Sequence, residues 1–514
     1  MVSSKDQGIR HPVLHPFLIS VYPVIALLAH NIEEVQLKVV WRPLIISILI
    51  SLGMFALFNV IFHEKHKAGI VTTIFLLLLF SYGHIYEFFE GSEYFGDILG
   101  RHRYLAVIYL IIMALSIFWI MTQAAKLPRM TYLLNVCTIV LLLIPIMQLG
   151  LFQIRLFQSY AESQGKPIQP ANLNLHSQDG LRDVYYLILD GYARDDVLQK
   201  YYQYDNQLFL DYLSEKGFYI PECTLSNYAQ TQLSLASSLN LSYLESLGGH
   251  YIAGNTSRIG LSDLIQHSET RRLFEQLGYQ VIAFDTGYES TRWKDADLYL
   301  TPRVVADIDG FEEMFIRTTA ARLITEGVVF LDIPPDWEKR DQLHRERILF
   351  SLKNLSKVPD ISGPKFVFAH LITPHWPHVF GPNGEAVHEH NDSVSGYRNQ
   401  VVFINRQIEP ILNTIITRSA IPPIIILQGD HGSVIESPQQ RMSILNAYYL
   451  PDRSTQDLYS SISPVNTFRL IFNLYFNADL PLLEDTSYYS QYESPYEFQQ
   501  YNDNRPGCPS KASS

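Results

Sequence analysis

Cysteine is scarce in this chain. Cys137, Cys223 and Cys508 are too few for a disulfide framework or a thiolate metal cluster. Cys137 falls in an apolar run and reads as a small buried hydrophobe. Cys223 and Cys508 could bridge in an oxidising compartment or stay as two free thiols. A basic excess is missing as well, since the net charge of the 514 residues is −12. The deficit is uneven: through Arg155 there are 11 basic against 8 acidic residues, and after it 28 against 43. A strongly acidic second part excludes nucleic acid as a partner. Hydrophobic residues make up 47% of the chain, and most of the excess lies in the first part.

That excess is organised in five apolar runs: Leu14–Ala29, Pro43–Phe62, Gly69–Phe88, Tyr104–Met121 and Met130–Phe152. Four approach the roughly 20 residues that a membrane-spanning helix needs. The first is shorter, holds Pro16 and Pro23, and has no small-residue cleavage site after it, unlike a signal peptide. With the N-terminus inside, the inner segments carry Lys5, Arg10, Lys65, Lys67, Lys126 and Arg129. The outer loops carry Glu33, Glu34, Glu87, Glu90, Glu93 and Asp97 besides four basic residues. This asymmetry fits the positive-inside rule, and an odd number of spans delivers everything after Arg155 to the extracytoplasmic side. His30, His84, Glu87 and Glu90 near the outer helix ends could line a substrate path, but read more simply as solvated loop residues. Residues 156–182 form a polar connector whose start could lie along the membrane surface.

After Arg182 the chain alternates short apolar runs with amphipathic stretches, which predicts a mostly parallel sheet flanked by helices over 183–480. Helices are expected over Asn206–Lys216, Leu264–Leu277 and Tyr397–Thr417. Val184–Leu189 is a strand ending in Asp190, and Val281–Phe284 one ending in Asp285. Phe366–Ala369 ends in His370, and Ile424–Leu427 runs on to Asp430 and His431 between two glycines. In open α/β sheets ligands bind at the carboxyl ends of strands. A carboxylate beside an imidazole suits zinc or manganese. Four strands ending in such groups predict a shared site. In NYAQTQLSLASSLN a polar lead-in passes into a short helix with Thr231 near its start. Thr231 is either an N-cap or a hydroxyl placed among free N–H groups that could hold a phosphate. The stretch from 481 to 514, rich in Tyr, Ser and Gln, lacks helical periodicity and should wrap the domain or stay partly disordered.

These motifs together resemble the alkaline phosphatase and sulfatase superfamily. The likeness is to its membrane-bound branch of lipoteichoic acid synthases and phosphoethanolamine or phosphoglycerol transferases. The resemblance spans about Asp183 to Asn477 and rests on YYLILDGYAR, NYAQTQLSLASSLN, FAHLITPHWP and QGDHGS. It implies an N-terminal five-helix transmembrane bundle (1–155) followed by an alkaline-phosphatase-like α/β domain. It also implies one divalent ion, zinc or manganese, held by Asp190, Thr231, Asp430 and His431, with Thr231 as nucleophile. His370 and His375 would stabilise phosphate oxygens or protonate the leaving group, although His370, in an apolar run, also reads as a satisfied core residue. Apart from the resemblance, Arg292 on phosphate with Trp293 as a wall could form a head-group pocket, or Arg292 could be a salt-bridged surface arginine. The sequence departs from the pattern twice. No Cys-x-Pro-x-Arg motif is present, which argues against sulfate ester hydrolysis. No histidine follows the Asp-His-Gly motif within SVIESPQQRMSILNAYYLP, which puts a second metal site in doubt.

The function implied is transfer of a phospho-alcohol head group from a membrane phospholipid donor to an extracytoplasmic glycan or lipid acceptor. A phosphodiesterase or sulfatase of the same fold, and a non-catalytic membrane scaffold, are the competing readings.

Overall fold

A computed structural model describes residues 11–35, 37–90, 100–122, 126–162, 175–177, 180–248, 251–302, 310–325, 336–389, 393–434, 437–453, 458–503 and 505–508. The chain forms two compact units, 1–158 with 307–336, and 159–306 with 337–514. The connector expected over 156–182 lies mostly outside the described residues.

The first unit begins with α1 (His15–His30), α2 (Trp41–Phe62), α3 (Lys65–Glu90), α4 (His102–Thr122) and α5 (Leu127–Glu162). Four of these segments are long and apolar enough to cross a membrane: Leu37–Phe62, Lys65–Glu90, His102–Thr122 and Leu127–Ile154. The fifth, α1, has only 16 residues. The expectation of five spans thus meets four helices of spanning length and one short one. Large apolar side chains such as Val60, Leu110, Phe118 and Leu143 face outward, as helices solvated by lipid require. Cys137, expected buried, is exposed among them. Backbone groups at the start of α1 are satisfied internally: Leu14 and His15 donate to Asn135 Oδ1 at 3.1 and 2.8 Å.

A helix that follows much later in sequence, Gly310–Thr318, also belongs to this unit. Phe311 and Phe315 join Ile19, Val24, Leu76 and Phe80 in one apolar cluster. The Ala320 N–H donates to the Leu79 carbonyl of α3 at 2.7 Å. Arg322 reaches Glu87 at 3.1 Å and lies over the Tyr86 ring. Glu87 and Glu90, read from sequence as solvated loop residues, therefore receive cations from this segment.

The second unit is built on a six-stranded sheet. Its strands are β1 (Val184–Leu189), β2 (Gln280–Phe284), β3 (Leu298–Leu300), β4 (Lys365–Leu371), β7 (Ile424–Gln428) and β8 (Asn446–Tyr449); two hairpins supply β5 (His378–Phe380) with β6 (Ala386–Glu389), and β9 (Ser487–Tyr489) with β10 (Gln499–Tyr501). The sheet order is β3-β2-β4-β1-β7-β8, parallel except for the β7–β8 pair. Alternate residues of the central strand divide between two cores. Tyr185, Leu187 and Leu189 pack on one face, and Val184, Tyr186 and Ile188 on the other. This burial on both faces is why β1, β4 and β7 read as unbroken apolar runs. The single helix expected over Leu264–Leu277 is two, Ile259–Gln266 and Glu269–Gln276. Ser268 breaks the run and caps the second helix by accepting from the Arg271 N–H. The C-terminal stretch wraps this unit through the second hairpin, and a Cys223–Cys508 disulfide ties it down.

Candidate active site and metal centre

Strand register assembles the site. β1 lies between β4 and β7, with Ile188 level with His370 on one side and Gln428 on the other. Asp190 and Asp430, each two residues further on, therefore emerge side by side at the carboxyl edge. The backbone around Asp430 and His431 is tightly threaded. A Cβ on Gly429 would lie 2.5 Å from the Tyr192 carbonyl oxygen, and one on Gly432 only 1.9 Å from that of Gln440. Only glycine fits at either place, which is the physical content of the Gly-Asp-His-Gly motif.

Thr231 is the first residue of the helix Thr231–Leu239, and Gln230 occupies the cap position. The N-cap reading is thereby corrected: the Thr231 hydroxyl makes no cap bond and instead lies 3.0 Å from His431 Nε2. His431 Nε2 is 3.4 Å from Asp190 Oδ1 and 3.4 Å from Asp430 Oδ2. Ligands of one tetrahedral ion bound at about 2.1 Å would stand about 3.4 Å apart. His431 Nε2 thus lies within about that separation of one atom from each of the other three residues anticipated as ligands. Two of their buried oxygens, Asp190 Oδ1 and Asp430 Oδ2, have no hydrogen-bond partner. Buried carboxylate oxygens without donors are costly, and a bound cation would satisfy both.

The histidines are prepared for that role. His431 Nδ1 donates to the Gly432 carbonyl at 2.8 Å, and His375 Nδ1 to that of Trp376 at 2.6 Å. A carbonyl only accepts, so Nδ1 carries the proton in each ring and Nε2 presents a lone pair. Burial, with Arg441 adding to it, lowers the His431 pKa to about 4 against the pull of Asp430 and Asp190, so the ring is neutral at physiological pH. Burial alone would raise Asp190, but His375, His370 and His431 hold its carboxyl far below the usual carboxylate range. His375 joins Asp190 and His431 in one group of potential ligand atoms, and His370 joins Asp190 and Asp430 in another.

His370 sits differently from its expected place. It is fully enclosed behind Asp190, with Nε2 3.2 Å from Asp190 Oδ2 and Nδ1 3.1 Å from the Thr291 hydroxyl. It does not line the cleft, and its contacts are with Asp190 and Thr291. Arg292 and Trp293 also lie elsewhere. Arg292 pairs with buried Asp285 at 3.0 Å and with Glu289 at 3.3 Å, while Trp293 is buried flat against Phe368 at 4.1 Å. Asp285, the fourth strand-end group, is held low by Arg292 and Arg347 despite its burial, and belongs to this separate ion cluster.

The cleft over Thr231 has a volume of about 630 Å³ and is lined by Tyr288 and Trp376 and by residues the sequence reading passed over, among them Arg258 and Tyr492. Gln230 anchors the C-terminal stretch by donating to Ser490 and to the Gln491 carbonyl. His344 lies close by. Its Nε2 is buried without a partner, and burial with His375 and Arg347 lowers its pKa to about 4. No pattern marks these positions. They come from separate loops, a helix and the tail, and only tertiary structure brings them together.

Several solved structures are similar to the chain. The C-terminal periplasmic domain of EptC from Escherichia coli, in complex with zinc, aligns at 14% identity and TM-score 0.38, covering 65% of this chain and 97% of that one. The integral membrane lipooligosaccharide phosphoethanolamine transferase A from Neisseria meningitidis aligns at 10% identity and TM-score 0.38, covering 90% and 94%. A 2-O GAG sulfatase aligns at 10% identity and TM-score 0.36, covering 59% and 72%. No curated protein matches by sequence. The family described as Sulfatase matches residues 182–470, more than half of the chain and the whole six-stranded sheet. The chain belongs to the sulfatase family, enzymes of the alkaline phosphatase superfamily.

Proposed function

We propose that the protein is a membrane-embedded transferase that moves a phospho-alcohol head group from a phospholipid to an extracytoplasmic glycan or lipid. The observation that carries this reading is the Thr231 hydroxyl, hydrogen-bonded to His431 at the mouth of a ligand set that includes Asp190 and Asp430. This set occurs in a chain that also carries four helices able to span a membrane. A zinc or manganese ion held by Asp190, Asp430, His431 and Thr231 would lower the pKa of the hydroxyl and offset phosphate charge.

In the first half-reaction, Thr231 Oγ1 attacks the phosphorus in line as its proton departs. The bond from phosphorus to the lipid alcohol breaks, and diacylglycerol leaves after protonation. His375 lines the cleft, and its Nε2 lone pair takes up the Thr231 proton and passes it to that leaving oxygen. His370 holds Asp190 in orientation from behind. In the second half-reaction an acceptor hydroxyl attacks the same phosphorus, its proton passing to His375 Nε2, and the bond to Thr231 Oγ1 breaks as that oxygen regains a proton from His375.

Transfer is favoured over sulfate ester hydrolysis because position 231 is threonine and no Cys-x-Pro-x-Arg motif is present. The loop-charge asymmetry, with α1 counted as a fifth span, supports an extracytoplasmic site. So does the Cys223–Cys508 disulfide, which belongs to an oxidising compartment. Purified protein supplied with manganese or zinc and a labelled anionic phospholipid is expected to release diacylglycerol. Thr231→Ala should lower that release by at least 10³-fold, on the scale of losing a catalytic nucleophile. Equal release by the variant would remove the reading. High turnover of soluble aryl sulfates without lipid turnover would replace it with hydrolysis.

A further inference from the structure

Arg258 is only 4% exposed, yet it lines the catalytic cleft. It stands immediately before the helix Ile259–Gln266, on an element that carries none of the ligand residues. Its Nη1 donates to Gln232 Oε1 at 3.4 Å and its Nη2 to the Tyr492 carbonyl at 2.5 Å. The guanidinium carbon lies 4.3 Å from the centre of the Tyr492 ring. All of these acceptors are neutral. Among the described residues no carboxylate pairs with Arg258, whereas buried Arg194 and Arg292 each pair with at least one. A buried cation without a counter-charge is costly, and a planar fork with unused N–H groups is shaped for two oxygens of one anion. Arg441, the other arginine at the cleft, differs because its N–H groups reach the Ala229, Gly432 and Ser433 carbonyls.

Gln232, which carries one of these contacts, is the residue after the nucleophile, so Arg258 is registered against Thr231. Gln232 is in turn fixed by donating to Ser290 at 2.6 Å. Tyr288, Trp376 and Tyr492 add aromatic surface to the wall. Among the described residues the one acidic residue lining the cleft is Asp190, which is already committed to three histidines. Among the described residues, a head group bearing an ammonium would meet a guanidinium here and no free carboxylate.

We infer that Arg258 is a specificity-determining residue that grips a phosphate oxygen of the substrate and excludes ammonium-bearing head groups in favour of polyol ones. The inference rests on the transferase reading for the identity of the diester. Its anion-binding part stands without that reading.

The test uses full-length protein in detergent with manganese. Inorganic phosphate is the probe, read by its inhibition of diester turnover and by the thermal shift it produces. Turnover is compared on phosphatidylglycerol and phosphatidylethanolamine. Wild type should favour the glycerol lipid about tenfold or more and be stabilised by millimolar phosphate. Arg258→Gln should weaken phosphate inhibition at least tenfold and narrow the lipid preference. Arg258→Lys should recover only part of both, since an ammonium keeps the charge without the fork. Should Arg258→Gln not fold, the wild-type preference and the lysine variant still decide. A wild type that prefers the ethanolamine lipid would overturn the inference, as would phosphate inhibition within twofold of wild type in either variant. If neither lipid is turned over, the transferase reading fails, while loss of the phosphate-induced thermal shift in Arg258→Gln would still support the anion grip.

Discussion

At the scale of single residues, the account depends on groups whose protonation is fixed by burial and by neighbours. His431 and His344 each have a folded pKa of about 4 because burial disfavours their charged form. In the unfolded chain both return to about 6.5. As pH falls through that interval the unfolded state binds protons that the folded state refuses, so acidification removes stability, on the order of 1–3 kcal/mol per imidazole. Asp190 adds to the loss at lower pH, because its folded carboxyl stays ionised where the unfolded one protonates. Chelator-treated protein should therefore show a falling thermal midpoint from pH 7 to pH 5. A midpoint that stays level or rises on acidification would contradict the assignment. Much of this residue set was legible beforehand. Asp190, Asp430 and His431 follow apolar runs directly, and a strand's carboxyl end is a predictable place. Arg258 and Tyr492 were not legible, because each reaches the cleft from an element with no local signature. Arg292 and Trp293 misled for the converse reason: a plausible pair near a strand end was already used, one by Asp285 and the other by Phe368.

At the scale of elements, the informative case is the segment Gly310–Thr325 in the first unit. It contacts α3 so closely that a Cβ on Gly83 would lie 1.9 Å from the Arg317 carbonyl oxygen and 2.5 Å from the Thr318 carbonyl carbon. Both neighbours are backbone and cannot rotate away. Gly83→Leu is therefore expected to expel the segment, costing about 1–3 kcal/mol and breaking the Arg322–Glu87 and Ala320–Leu79 contacts. Limited trypsin digestion should then cut after Arg317 or Arg322 faster than in wild type. Unchanged cleavage would contradict the packing. Sequence could not foresee this contact, because the partners are more than 220 residues apart and Gly83 lies within an ordinary apolar run. The same limit applied to the helix expected over Leu264–Leu277. Its apolar period continues across a break that Ser268 imposes by capping a second helix.

At the scale of the whole chain, composition already separated the two parts. Apolar runs with few charges precede an acidic, alternating α/β sequence, and the structure divides near the same place, at Gln158. What composition could not show is that residues 307–336 return to the first unit. The proposed orientation places the entire α/β unit outside the cytoplasm. On sealed, right-side-out vesicles, an externally added protease should remove a C-terminal epitope without detergent. A reducing agent should be needed to convert Cys223 and Cys508 to labelled thiols. Protection of the epitope until detergent is added would reverse the topology and exclude an extracytoplasmic acceptor.

The proposed function depends on the Thr231 hydroxyl being the atom that takes up the phosphoryl group. Rapid quenching after exposure to lipid, followed by mass spectrometry of peptides spanning residues 226–240, examines that atom directly. The account predicts a phospho-alcohol adduct on Thr231 that disappears in Asp430→Asn, with a mass that names the transferred group. Continued lipid turnover with Thr231 unmodified, or with the adduct on Ser234 or Ser237 instead, would contradict it.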